Sequence, residues 1–175
     1  MTPTQADDAP IATLAAQAGR ALLSAGLKVV TAESCTGGGV ATALTDVAGS
    51  SQWFERGYVT YSNAAKSQDL GVEAALIERH GAVSAAVVEQ MAAGALRASG
   101  AQVAVAVSGI AGPDGGTADK PVGLVFLAVV RQNGPVRVLR EQFPGDRAAV
   151  RRASVAAALR LILQAATAAN FDANT

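Results

Sequence analysis

The chain has 175 residues, half of them hydrophobic and 16% charged, with 14 basic and 14 acidic side chains. A length of this order suits a single core of about 100–200 residues, and the balanced charge offers no field to draw in nucleic acid or an anionic membrane. One cysteine, Cys35, and one histidine, His80, exclude an intramolecular disulfide and the Cys or His clusters that hold zinc or non-haem iron.

MTPTQADDAP, residues 1–10, is polar and acidic, without the basic-then-apolar order of a secretory signal. Residues 10–26 space their apolar side chains as a helix does and end at Gly26, a C-cap position. LKVVTA (27–32) reads as a short buried strand and CTGGGVATALTDV (35–47) as a helix. GYVTYS (57–62) alternates like a strand; Ser62 then caps a short helix, NAAKSQDL (63–70), which Gly71 ends. VEAALIERH (72–80) is a further short helix closed by Gly81, and Ser84 caps a long apolar helix over 85–98. QVAVAVSG (102–109) is a strand followed by the loop GIAGPDGGTADKP (109–121).

VGLVFLAVV (122–130) and VRVLREQF (136–143) flank RQNGP as an antiparallel hairpin, and a helix over 147–168 closes the chain. VGLVFLAVV is the longest apolar run and falls well short of the about 18 residues of a membrane span. Helices alternating with strands, then a hairpin, predict an α/β fold: one three-layer α/β/α domain over residues 1–175, its core at about 10–168. The sheet is expected to be mixed, mainly parallel, with one antiparallel hairpin. The setting expected for such a chain is cytoplasmic, and its Ala-rich, low-charge surface points to a homo-oligomer.

Three polar stretches stand out. TAESCTGGG (31–39) follows a strand and opens a helix, where free N–H groups and the helix dipole favour an anion. There Ser34 could attack a substrate, with N–H groups from Thr36 to Gly38 receiving an oxyanion or phosphate. Equally, Ser34 or Thr36 could merely cap the helix. Three successive glycines weaken a helix and favour the ligand reading. The nucleophile-elbow pattern G-x-S-x-G is absent, because Ala32 and Thr36 occupy the glycine positions. His80, at a helix end, is placed to meet the last carbonyls rather than to complete a triad.

In YSNAAK (61–66), Lys66 falls in the first turn of its helix, where a cation opposes the dipole. That dipole and burial together would lower its pKa, so Lys66 with Tyr61 could activate a serine without histidine. A solvated lysine beside a half-buried tyrosine fits the same residues. SGIAGPDGGT (108–117) is rich in turn residues whose N–H groups form anion nests, yet lacks the GKS or GKT ending of a P-loop. It is either a ligand loop or a surface loop. Arg147 and Arg151, four apart in GDRAAVRR, could share a phosphate or line a solvated face.

Taken in order, TAESCTGG, GYVTYSNAAK, LGV, HGAVS, MAAGA, SGIAGPDGGT, KPVG and GDRAAVR resemble the CinA C-terminal domain family over about residues 10–165. Its characterised members are nicotinamide-nucleotide amidases of the PncC type. The resemblance implies hydrolysis of the carboxamide of nicotinamide mononucleotide, giving nicotinate mononucleotide and ammonia. The partner is then a small pyridine nucleotide, with no nucleic acid, no membrane, no cofactor and no metal. It implies Ser34 as nucleophile, in preference to the adjacent Cys35, with Tyr61 and Lys66 as activating groups. The substrate-binding set is then Glu33, Thr36, Gly37, Gly38, Ser108, Gly109, Gly112 and Arg147, with Glu33 either ordering the Ser34 turn or touching the ligand. Gly39 stands where the family usually has a bulky apolar residue, which would loosen the first helical turn. A catalytically silent pyridine-nucleotide-binding module, or a scaffold in competence or DNA-damage responses, is the alternative.

Overall fold

The computed structural model describes residues 10–168. In chain order they form α1 (Ile11–Ala25), β1 (Val29–Glu33), α2 (Gly39–Thr45), a 3-10 turn at Ser50–Gln52, β2 (Phe54–Val59) and α3 (Asn63–Leu70). Then come α4 (Ala74–His80), α5 (Ala85–Ser99), β3 (Val103–Gly109), β4 (Leu124–Arg131), β5 (Val136–Gln142) and α6 (Arg147–Thr167). Gly26, Gly71 and Gly100 stop α1, α3 and α5 as C-caps. The expected serine caps are present: the Ser62 hydroxyl accepts from the Ala65 N–H at 3.1 Å, and Ser84 from Val87 at 3.3 Å.

One five-stranded sheet has the order β2-β1-β3-β4-β5. β1 pairs parallel with β2 and β3, while β4 runs antiparallel to both β3 and β5. Only β4 is therefore reversed, so the sheet is mixed and mostly parallel, with β4 and β5 as the expected hairpin. The alternation in VAVAV of β3 dresses its two faces differently. Val103, Val105 and Val107 join the core beneath α1, α2 and α6, while Ala104 and Ala106 face α5 with Met91, Ala92 and Ala95. Layers of helix on both faces give the α/β/α architecture.

Register decides where chemistry can gather. Glu33 lies opposite Val59 of β2 and Val107 of β3. The carboxyl ends of three parallel strands thus coincide, and Ser34, Thr60–Tyr61 and Ser108–Gly109 emerge at one edge. The chain leaves β1 to one side for β2 and returns on the other as β3, which makes this edge a topological switch point.

Two elements differ from the expected boundaries by three residues or more, and several others by one or two. α2 starts at Gly39 rather than at residue 35, because Gly37 and Gly38 take left-handed φ values of 58° and 94° and hold the chain in a turn before the helix. β2 spans Phe54–Val59 rather than 57–62. It is an edge strand whose charged residues reach solvent, which hid its start, and at its end the Thr60 N–H makes a last bond to the Glu33 carbonyl before Tyr61 turns away. No helix among the described residues is long and apolar enough to cross a membrane.

Candidate active site

Lys66 is a large charged side chain that the fold removes from water, with 1% of its surface exposed. α3 delivers it from its first turn, and α3 is itself pressed against α5. A Cβ on Gly94 of α5 would stand 1.9 Å from the Leu70 carbonyl oxygen. The Lys66 Nζ lies 2.8 Å from the Thr60 carbonyl, 3.3 Å from the Tyr61 carbonyl and 3.1 Å from Ser34 Oγ. Among the described residues, no carboxylate forms an ion pair with it. Desolvation without a compensating anion holds its pKa below the ordinary lysine value.

As an ammonium, Lys66 donates to all three oxygens; once it has lost a proton, two N–H donors remain for the carbonyls and one lone pair is left to accept from the Ser34 hydroxyl. Ser34 is fixed from the other side, since its N–H donates to the Val107 carbonyl at 3.0 Å.

Glu33, fully buried at the end of β1, carries a different burden. Its carboxylate accepts from Thr36 Oγ1 at 2.6 Å, from the N–H groups of Gly38 and Val40 at 3.1 and 3.0 Å, and from the Ala41 N–H at 2.8 Å. It closes the N-terminus of α2 from a position outside the helix, where the dipole also favours an anion. Of the two roles left open for Glu33, this geometry is the ordering of the turn. It also occupies one expected oxyanion donor, Gly38, while the Gly37 N–H donates to the Ser34 carbonyl at 3.0 Å. The N–H groups of Cys35 and Thr36 are the two in this turn without a partner among the described residues. Gly39 has a packing reason of its own: a Cβ there would meet Val155 of α6 at 3.1 Å.

A cleft of about 280 Å³ opens over Ser34 and Lys66. The expected residues Tyr61, Ser108, Gly109, Gly112 and Arg147 line it; Glu33, Thr36, Gly37 and Gly38 do not. Tyr61 is 59% exposed, and its hydroxyl accepts from Arg147 Nη2 at 3.1 Å rather than meeting Ser34 or Lys66. Arg147 also donates to the Gly112 carbonyl at 3.0 Å, tying the glycine-rich loop to the start of α6. In that loop, the N–H groups of Ala111, Gly112, Asp114 and Gly115 lack partners among the described residues, and all four residues line the cleft. The Ser108 hydroxyl donates to the Ala82 carbonyl at 2.8 Å, pinning the α4–α5 connection as the opposite wall.

Cys35 is buried, and desolvation pushes its thiol up to about 11, which leaves it a poor nucleophile. No group of three or more His, Cys, Asp or Glu among the described residues is arranged to hold a metal ion.

Sequence reasoning missed Asn63, Ala82 and Val83 as lining residues, and it missed what Lys120 and Arg151 hold. Lys120 Nζ donates to the His80 and Val83 carbonyls, and Arg151 grips the Cys35 and Thr36 carbonyls. These bonds join residues 37 or more positions apart. A local motif carries no trace of them.

An α/β/α fold with a serine and a buried amine at its switch point is a defined class of site, and comparison gives it a family. The model of the CinA C-terminal domain matches residues 11–166, and the chain belongs to that family. It is 58% identical over 158 residues to the nicotinamide-nucleotide amidohydrolase PncC of Pseudomonas putida, covering 90% of this chain and 98% of the relative. It is 54% identical over 157 residues to the protein of the same name from Escherichia coli K12, covering 90% and 95%. Among solved structures, the competence/damage inducible protein CihA from Agrobacterium tumefaciens superposes with a TM-score of 0.87 at 46% identity, covering 94% of this chain and 99% of that one.

Proposed function

We propose that this chain hydrolyses the carboxamide of nicotinamide mononucleotide to nicotinate mononucleotide and ammonia, with Ser34 as nucleophile and Lys66 as its base. The observation that carries the reading is the Lys66 amine: buried, without a carboxylate partner among the described residues, and 3.1 Å from Ser34 Oγ. The names and coverage of the relatives supply the substrate class.

In this mechanism the Ser34 Oγ attacks the amide carbon as its proton passes to the Lys66 lone pair. The new ammonium keeps its N–H bonds to the Thr60 and Tyr61 carbonyls, which lowers the cost of a buried cation. The N–H groups of Cys35 and Thr36 receive the oxyanion, each donor lowering the barrier by about 3–4 kcal/mol. Collapse breaks the C–N bond, and Lys66 returns its proton to the leaving nitrogen. Water, deprotonated by the now neutral Lys66, then releases the acid from Ser34.

The remaining groups hold the nucleotide. Arg147 and the free N–H groups of the 109–116 loop bind the phosphate, and Tyr61, held by Arg147, closes the outer side of the cleft. On this geometry Tyr61 shapes the substrate site, and proton transfer belongs to Lys66.

Ammonia release from nicotinamide mononucleotide by the purified chain tests the proposal, with Ser34→Ala beside it. Turnover that disappears in Ser34→Ala supports both the activity and the nucleophile. Turnover surviving in the variant moves the nucleophile elsewhere. Binding without turnover by wild type would make the chain a nucleotide-binding module.

A further inference from the structure

Arg151 lies one helical turn beyond Arg147 on α6. Its side chain does not line the Ser34 cleft. It lines a groove of about 850 Å³ with Thr36, Gly37, Ile11 and Val155, and another of about 500 Å³ with Arg147, Ala111 and Pro113. From there its Nε donates to the Cys35 carbonyl at 3.1 Å and its Nη2 to the Thr36 carbonyl at 3.1 Å. One planar fork thus holds two consecutive carbonyls, a geometry that a lysine cannot reproduce.

Peptide planarity carries that restraint through to the other side of the turn. In a trans peptide the N–H points opposite to the C=O. A grip on the Cys35 carbonyl therefore aims the Thr36 N–H away from α6. The Gly37 N–H, bound to the Ser34 carbonyl, fixes the Cys35 N–H in the same way. These are the two N–H groups of the turn that have no partner among the described residues.

We infer that Arg151 is a positioning residue, which aims the Cys35 and Thr36 N–H groups at the oxyanion formed when Ser34 attacks. The inference rests on the amidase reading above, and adds to it a residue that does not line the Ser34 cleft. Arg147 and Arg151 then divide the work of α6: the first faces the ligand, the second sets the peptide planes behind the nucleophile. Its effect falls on the transition state alone, because the ground-state carbonyl is not yet an anion.

The test is kcat and KM for nicotinamide mononucleotide in wild type, Arg151→Lys and Arg151→Ala, with guanidinium chloride added to the alanine variant and urea as its control. Binding of nicotinate mononucleotide is measured alongside by calorimetry. The expected result is a kcat loss on the order of 10²-fold in both variants, with KM and product affinity unchanged. Guanidinium, entering through the groove, restores part of the kcat of Arg151→Ala and urea does not. Unchanged kcat in an active background overturns the inference and leaves the amidase reading intact. So does a loss in which KM and product affinity weaken together without a guanidinium response, since that is general loosening of the fold. Arg151→Lys gives the answer if the alanine variant does not fold. A wild type that releases no ammonia overturns the amidase reading and this inference with it.

Discussion

Glu33 and Lys66 are both withdrawn from solvent, at 0% and 1% exposure, and both adjoin Ser34, one along the chain and the other through its amine. The two regions treat a buried charge in opposite ways. Around Glu33, four donors converge on one carboxylate, and the anion binds a turn to the start of a helix. Around Lys66, two carbonyls and a hydroxyl meet an amine that no carboxylate neutralises among the described residues. Burial alone therefore does not mark a functional group. A buried charge with every partner in place is architecture; one whose charged form is disfavoured is ready to trade a proton.

The comparison breaks most visibly at Lys66. Lys66→Met should lower kcat for ammonia release by about 10²–10⁴-fold, the usual worth of a positioned base, while the folded structure persists by circular dichroism. A residual activity near wild type would remove the amine from the chemistry. Glu33→Gln should act first on stability. An amide nitrogen among four donors leaves buried N–H groups unpaired, which costs about 1–3 kcal/mol or more in urea unfolding. Activity should fall with it, because the same turn carries Ser34.

Gly94→Ala separates scaffold from site. The added methyl collides with the Leu70 carbonyl, so α3 must move, at about 1–3 kcal/mol in unfolding free energy together with a loss of kcat as Lys66 shifts.

The pH dependence follows from the depressed pKa of Lys66. Between that lowered value and the ordinary lysine value, the unfolded chain binds more protons than the folded one, so stability rises with pH through that window. Wild type should gain on Lys66→Met as pH increases there, and the difference should be flat below it, as denaturant melts at several pH values will report. The smallest effect is expected for Tyr61→Phe, which removes one exposed bond to Arg147. A change in KM of less than about tenfold is expected, with kcat held; a large fall in kcat would return Tyr61 to the proton path.

Much of the architecture is legible in short stretches. VAVAV announces a strand buried on both faces, Ser62 and Ser84 announce helix starts, and Gly26, Gly71 and Gly100 announce stops, because each effect is local. Ser34 and Lys66 were singled out by position at a strand end and by a lysine in the wrong turn of its helix. What stayed hidden is non-local. Glu33 reaches N–H groups up to eight positions ahead, and Arg151 reaches carbonyls 115 and 116 positions back. The charge of Glu33 at the end of VVTA, a strand buried throughout, was the one signal that could have exposed its role. The glycines of TGGG read as room for a ligand; the structure adds a left-handed turn at Gly37 and Gly38 and a close approach of Gly39 to Val155, both invisible in the sequence.

The measurement that most directly tests the uncompensated amine is a titration of Lys66 itself, by NMR of chain labelled at the lysine Cε, with Lys66→Met used to assign the resonance. The expected result is a midpoint clearly below the ordinary 10.5, which makes a neutral base accessible to Ser34. A midpoint at or above that value would mean the pocket stabilises the ammonium, and would contradict the role given to Lys66.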